Sequence, residues 1–313
     1  PIAVQEPTVD DTQLVLYEPH EYRAKEAVLA HPENVRRAIA LLRQAKKPLV
    51  IAGSAAGYTL SGDALQRFIE TTRLPILTEE QARGLISDAH PYVFGFFERG
   101  LNRAAAKVRE ADVVLLLGRK QDFTIGFCQP PHVAANAKII QVDPSALEIG
   151  RNRGVAVGMV GDVTSVLDQM TQEAASFTWQ DLPWLDELRE ARAAQSVWAE
   201  NLARTETPMH GLFVHRTIQS MLRSDDCLVF DGGDFCHFGR SLLPALKPKR
   251  WFYVSSLGML GSSLPTALAA KVAYPDSRVI MLTGDGAFGF NGMEFATAVG
   301  HRLNIAAILG NDS

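Results

Sequence analysis

The stretch from Arg278 to Ser313 limits the folds open to this chain more than any other. An apolar run, Val279 to Leu282, stops abruptly at Gly284-Asp285-Gly286; a segment of helical character follows; a second apolar run, Ile305 to Leu309, stops at Asn311-Asp312. Strand, helix and strand in this order make a crossover unit whose two strands run parallel. Their carboxyl ends then lie side by side, on the sheet edge where open α/β folds bind ligands. Asp285 and Asn311-Asp312 are expected to arrive at that edge together.

The same alternation runs back through the chain. Apolar strands are expected at Leu49–Ala52, Pro75–Leu77, Val113–Leu117, Lys138–Val142 and Val155–Val160. Helical spacing falls between them, from Pro32 through Val35, Ile39 and Leu42, then over Asp63–Thr72, Leu101–Arg109 and Val163–Met170. Continuous apolar strands alternating with helices indicate a doubly wound parallel sheet covered on both faces. We therefore expect a Rossmann-like domain over residues 28–172, after a polar linker over 1–27. Gly84, Gly95, Phe96 and Phe97 read as a glycine-rich aromatic loop within it. Residues 173–207, with Trp179 and Trp184 and then a polar helical stretch, read as an interdomain connector. A second parallel-sheet domain over 208–313 should hold a helix at Leu212–Leu222, strands at Leu228–Phe230 and Trp251–Val254, a helix at Pro265–Ala273, and the terminal unit.

Composition narrows the function classes. Net charge is −4 with 21% charged residues, which gives no basic field for nucleic acid and no polybasic patch for a membrane. No apolar run approaches the length of a spanning helix. Three cysteines, Cys128, Cys227 and Cys236, show neither metal spacing nor an even count for disulfides, so a reducing cytoplasm is the expected setting. The chain opens on Pro1 without a basic-then-apolar leader, and something upstream is expected to have been removed.

Several residues carry chemistry. Asp285 and the Asn311-Asp312 pair supply oxygen donors suited to Mg²⁺, and the flanking glycines let a diphosphate approach the backbone N–H groups. Asp231-Gly232-Gly233-Asp234 follows a strand and could present bare N–H groups to an anion, although an ordinary turn has the same composition. Ser256-Leu257-Gly258-Met259-Leu260-Gly261, continuing to Leu264-Pro265, reads alone as a glycine-rich helix start. His237 and Cys236 read as structural, and Lys247-Pro248-Lys249-Arg250 as a solvated turn.

Gly284-Asp285-Gly286, followed after 24 residues (287 to 310) by Asn311-Asp312, resembles the thiamine diphosphate (ThDP) motif of the acetolactate synthase, benzaldehyde lyase and 2-hydroxyacyl-CoA lyase superfamily. The resemblance implies Asp285 and Asp312 as Mg²⁺ ligands, with Asp312 standing where the family usually has Asn and Asn311 as the alternative. It implies cofactor contacts from Gly284, Gly286, Ala287 and Asn311, and diphosphate contacts from Gly233 and the Asp234 backbone. Gly258 would offer its carbonyl to the aminopyrimidine, and Leu260 would prop the cofactor into a bent shape. Val113–Arg119 and Gln141-Val142-Asp143-Pro144 are similar to a nucleotide-shaped site where some relatives bind FAD or ADP; without a GxGxxG nearby, a plain strand-to-turn junction is preferred.

The resemblance places the activating glutamate in a pyrimidine-binding domain that these residues do not include. No residue here is assigned that catalytic role. It implies a homodimer or homotetramer that acts on 2-oxo acids, as acetolactate synthases do, through a C2 carbanion and an enamine. Cleavage of a 2-hydroxyacyl compound is the close alternative, towards which Gly150-Arg151-Asn152-Arg153 leans by similarity. A reading of a different class is a non-catalytic nucleotide-binding or interaction protein with a vestigial site.

Overall fold

Pro48–Ala52 and Val113–Leu117 are unbroken apolar runs, and in the computed structural model both are strands with every residue buried. Such strands must lie inside a sheet that helices cover from both sides. The structure describes residues 12, 14–22, 26–253 and 257–311. Among these, β1 (Pro48–Ala52), β2 (Ile76–Thr78), β3 (Val93–Phe96), β4 (Val113–Leu117), β5 (Lys138–Asp143) and β6 (Val157–Val160) form a 6-stranded sheet in the order β3-β2-β1-β4-β5-β6. All neighbouring pairs are parallel. The order reverses between β1 and β4, the position that opens a crevice at the carboxyl edge.

Three helices cover this sheet for readable reasons. Helix α1 (Pro32–Gln44) has proline in its first turn, and His31 Nδ1 accepts the Glu33 N–H at 3.3 Å. It buries Val35, Ala38, Ile39 and Leu42, a stripe at helical spacing. Helix α2 (Gly62–Thr72) buries Leu65, Phe68 and Ile69. Helix α3 (Val163–Ala174) is capped by Asp162, whose carboxylate accepts the Ser165 N–H at 2.9 Å. Truncating Ile39 or Leu65 to alanine would cost about 2–5 kcal/mol, since both are fully enclosed.

The structure differs from the sequence reading at three places in this half. The glycine-rich segment holds an edge strand, β3, in which Gly95 sits at φ +86° and the register against β2 shifts. One left-handed glycine bends a strand without ending it. The helix expected over Leu101–Arg109 is short, Arg103–Ala106 capped by Asn102, and tightens into a 3₁₀ turn over Lys107–Glu110. The helical stretch expected in the connector is α4 (Pro183–Leu202), and it does not stand free between the domains: its first turns bury Trp184, Leu185 and Leu188 in the first core. The Trp184 indole donates to the Pro48 carbonyl at 3.0 Å, which fixes it there.

The second sheet follows after α5 (Gly211–Met221). Its strands are β7 (Cys227–Phe230), β8 (Trp251–Tyr253), β9 (Val279–Gly284) and β10 (Ala306–Gly310), all parallel and in the order β10-β9-β7-β8. Side chains of β7 alternate between two apolar layers. Leu228 and Phe230 face a cluster with Trp251 and Leu282, while Cys227 and Val229 face one with Leu264, Ala267 and Met281. Helices α6 (Asp234–Leu242), α7 (Ser263–Ala273), α8 (Asp285–Asn291) and α9 (Phe295–Gly300) complete this half. Helix α6 lies where the sequence reads as a glycine loop, and it starts immediately after Gly233.

The two halves meet along a packed seam. Phe96 packs against Trp251 at a tilt and against Tyr253 edge-on, with centroids 5.3 and 5.6 Å apart. Asp88 and Ala245 exchange hydrogen bonds, backbone N–H to carbonyl at 2.9 Å and N–H to carboxylate at 2.8 Å. Among the described residues no helix is long and apolar enough to cross a membrane.

Candidate functional site

The register of the second sheet determines what meets at its carboxyl edge. Gly284 of β9 lies directly beside Gly310 of β10, so the next residues, Asp285 and Asn311, leave the sheet as neighbours. Phe230 of β7 pairs with Leu282 one strand away, which brings the loop after β7 to the same edge. The expectation that a crossover unit delivers Asp285 and Asn311 together therefore holds as geometry.

A buried carboxylate that the sequence reading passed over ties these loops to one another. Asp231, fully enclosed, accepts hydrogen bonds from the backbone N–H groups of Gly232 (2.8 Å), Gly261 (3.0 Å) and Ser263 (3.2 Å), and from the Ser263 hydroxyl. It joins the end of β7 to the start of α7 across 30 residues of chain. Asn291 then donates to the Gly261 carbonyl at 3.0 Å and attaches α8 to the same loop. A charge-assisted cluster of this kind is stronger than its neutral counterpart and leaves the loops little freedom. The only sequence signal for it is an acidic residue placed immediately after an apolar strand.

The loops enclose a cavity of about 650 Å³. Gly233, Asp234, Leu260, Gly284, Asp285, Gly286, Ala287 and Asn311 all line it, so eight of the residues singled out from sequence share one space. Gly258 is exposed at φ +62° and is not among the lining residues. Asp312 lies outside the described residues. Apolar walls come from Met209, Phe235, Phe238 and Phe290. Phe235 occupies the space over Gly310, where a Cβ would come within 2.5 Å of its ring.

The polar floor has room where side chains are missing. Nothing lies within 4 Å of the Cβ positions of Gly233 and Gly286, and at Gly284 the nearest atom is the Gly310 carbonyl at 4.0 Å. Gly233 holds φ +87°, a conformation natural to glycine, and so turns the chain into α6 with its backbone exposed. Bare backbone faces beside a carboxylate and a carboxamide suit a phosphate-bearing group with a hard cation, whose preferred donors are oxygens. The residues present thus fit a metal diphosphate. Among the described residues no cluster of three or more His, Cys, Asp and Glu offers an all-side-chain metal site.

Neighbouring titratable groups are shifted by burial. Burial pushes the Cys236 thiol up to about 12, and its Sγ donates to the Leu282 carbonyl. Burial, helped by Arg240, lowers His237. The Lys247–Arg250 cluster is packed as well as solvated: Arg250 lies 3.3 Å over the Tyr274 ring, and the Lys247 carbonyl sits against Gly84.

The carboxyl edge of the first sheet is built differently. Arg119, after β4, is 2% exposed and pairs with Glu79 at 2.5 Å and with Asp122 at 2.7 Å. Its side chain fills the space beside Gly53, where a Cβ would lie 2.6 Å from Arg119 Cδ. Burial pushes Glu79 up to about 7 against the pull of the Arg119 guanidinium. Asp143 accepts the Ser145 N–H at 2.9 Å and is 4% exposed. Arg153 donates to the carbonyls of Cys128, Ala134, Ala135 and Ala137, and Asn152 to that of Gln121. The Gly150–Arg153 cluster is therefore engaged in holding the chain between β4 and β5.

Two parallel sheets, the second with glycine backbone and a carboxylate at an open carboxyl edge, define a doubly wound α/β protein with a ligand crevice in its second half. The family model for the thiamine pyrophosphate enzyme central domain matches residues 35–170, and that for the C-terminal TPP binding domain matches 231–313. The chain belongs to the thiamine pyrophosphate enzyme family. It is 32% identical to mouse 2-hydroxyacyl-CoA lyase 1 over 293 residues, 91% of this chain and 49% of the relative. It is 32% identical to a probable acetolactate synthase of Mycobacterium bovis, over 88% of this chain and 49% of that protein. Against Escherichia coli oxalyl-CoA decarboxylase it is 31% identical, over 91% of this chain and 50% of that protein. The chain spans about half the length of the curated relatives it matches.

Proposed function

We propose that the protein is a ThDP- and Mg²⁺-dependent enzyme that forms or breaks a carbon–carbon bond next to a carbonyl. The observation that carries this reading is the single cavity lined together by Gly233, Asp234, Leu260, Gly284–Ala287 and Asn311. When bound, ThDP supplies a thiazolium carbon acidic enough to act as a carbon nucleophile towards carbonyl groups. The chain's own residues hold and orient. Asp285 and Asn311 offer oxygen atoms to Mg²⁺, with Asp312 as the assigned second carboxylate. Backbone N–H groups around Gly233 and Gly286 receive the diphosphate, and Gly258 is assigned to the aminopyrimidine. Leu260 and Phe290 supply apolar surface in the wall beside the reacting end. Asp231 fixes the loops that carry these groups.

The substrate is read as a 2-oxo acid, in line with the similarity to acetolactate synthase. A 2-hydroxyacyl thioester is the second reading, favoured by the equal similarity to 2-hydroxyacyl-CoA lyase 1. The full protein is proposed to work as a homo-oligomer. Assaying it with pyruvate and with a 2-hydroxyacyl-CoA, each with ThDP and Mg²⁺, separates the two. Asp285→Ala should abolish turnover of whichever is accepted while leaving the Tm of the cofactor-free protein unchanged, because Asp285 is exposed. Full activity in that variant would remove the assigned ligand.

A further inference from the structure

Between the two halves lies a second cavity, of about 220 Å³, bordered by Asp88, Phe96, Asn102, Arg192, Gln195 and Arg240. Its charges are unevenly matched. Arg83, also in its wall, is neutralised by Asp88 through two hydrogen bonds of 2.9 and 2.5 Å. Arg240 is 4% exposed, its Nε has no acceptor among the described residues, and its recorded contact is with the face of Tyr253 at 4.8 Å. Arg192, at the exposed rim, gives one N–H to the Val93 carbonyl at 3.2 Å and lies over Phe94.

A buried guanidinium without an anion is costly, and folded proteins normally pair one or solvate it. Burial does weaken the basicity of Arg240. The carboxylates whose charge reaches it make no hydrogen bond to it: Glu98 accepts the Gly100 N–H at 2.9 Å, and Asp231 accepts the N–H groups of Gly232, Gly261 and Ser263. The donor groups of the neutral side chains in the wall point elsewhere. Asn102 donates to the carbonyls of Phe94 and Phe96, and Gln195 to that of Leu101. What the cavity lacks is negative charge with several acceptor atoms.

We propose that this seam cavity is an oxyanion subsite that takes a phosphate- or sulfate-sized dianion between Arg240 and Arg192. The planar guanidinium at its base suits two oxygens of one tetrahedral anion, and the second arginine closes the rim. Because α4 contributes Arg192 and α6 contributes Arg240, the anion ties the two halves together. Helix α6 begins at Asp234 in the cofactor cavity, so occupancy also steadies one end of that site. The subsite does not depend on which substrate the enzyme uses.

The test uses the full-length protein saturated with ThDP and Mg²⁺, so that the diphosphate cradle is filled before inorganic phosphate is titrated at constant ionic strength. A saturable rise in Tm of a few degrees, with matching ³¹P line broadening, is expected. Arg240→Met should remove it, and Arg192→Gln should weaken it about tenfold. A rise that never saturates, or one unchanged in both variants, overturns the proposal. Should Arg240→Met fail to fold, Arg240→Gln keeps a donor in the cavity without the charge: it should abolish the response, and a persisting response overturns the subsite. A parallel titration with ADP separates the sources of the anion. A response to ADP but not to inorganic phosphate, lost in Arg240→Met, assigns the same subsite to the phosphate of a larger ligand.

Discussion

The two sheets have the same parallel architecture and opposite edges. At the carboxyl edge of the first, Arg119 lies in the space beside Gly53 and is paired with Glu79 and Asp122, so the crevice at the switch point is filled by the protein itself. At the edge of the second, glycines stand where side chains would be, and the space they leave is a cavity of about 650 Å³. The fold places a crevice in both halves; the side chains decide which one is open. Buried polar groups differ in the same sense. Those of the first edge are joined in ion pairs, whereas His215 in the second half has neither ring nitrogen bonded among the described residues.

The largest effect should come from breaking the filled edge. Arg119→Ala leaves Glu79 and Asp122 facing each other in a nearly closed site, and should cost about 3–5 kcal/mol in denaturant unfolding. A loss below about 1 kcal/mol would show that the pairing is not what closes the crevice.

The unpaired histidine gives the next test. Burial holds His215 down at about 4, against about 6.5 in an unfolded chain. Its folded pKa is depressed, so the unfolded state binds the extra proton. Stability is intact above pH 6.5 and is lost as pH falls from about 6.5 towards 4. His215→Leu should flatten this slope, with a difference on the order of 3 kcal/mol near pH 4. Glu79 acts in the opposite direction, since its raised pKa removes stability as pH rises from 4.5 to about 7. Comparing wild type with the variant cancels that contribution, and parallel profiles would contradict the placement of His215.

The smallest effects come from one added methyl group at each edge. Gly53→Ala meets Arg119 and the Gly118 carbonyl and should cost about 1–3 kcal/mol of stability. Gly286→Ala meets open space, so stability should hold while ThDP affinity falls about tenfold as a backbone N–H is shielded. If both changes acted alike on stability, the contrast between the edges would fail.

Much of this was legible in the sequence because it rests on local pattern. The apolar runs gave the strands, and the parallel strand–helix–strand unit placed Asp285 beside Asn311. What escaped depends on tertiary surroundings. Gly95 concealed β3, since a positive-φ glycine inside a strand reads as a turn. Gly232-Gly233 concealed α6 in the same way, and with it the burial of Arg240. Trp184 read as part of a connector because nothing local shows that its ring packs under β1. Asp231 shows its importance only when the loop before α7 folds back onto the end of β7.

The open edge is proposed to cradle a metal diphosphate. Calorimetric titration of ThDP into the full-length protein, with and without Mg²⁺, tests it most directly. Saturable binding that requires Mg²⁺ and is lost in Asp285→Ala is the predicted result. Binding of equal strength without the metal, or no binding to the intact protein at all, would contradict it.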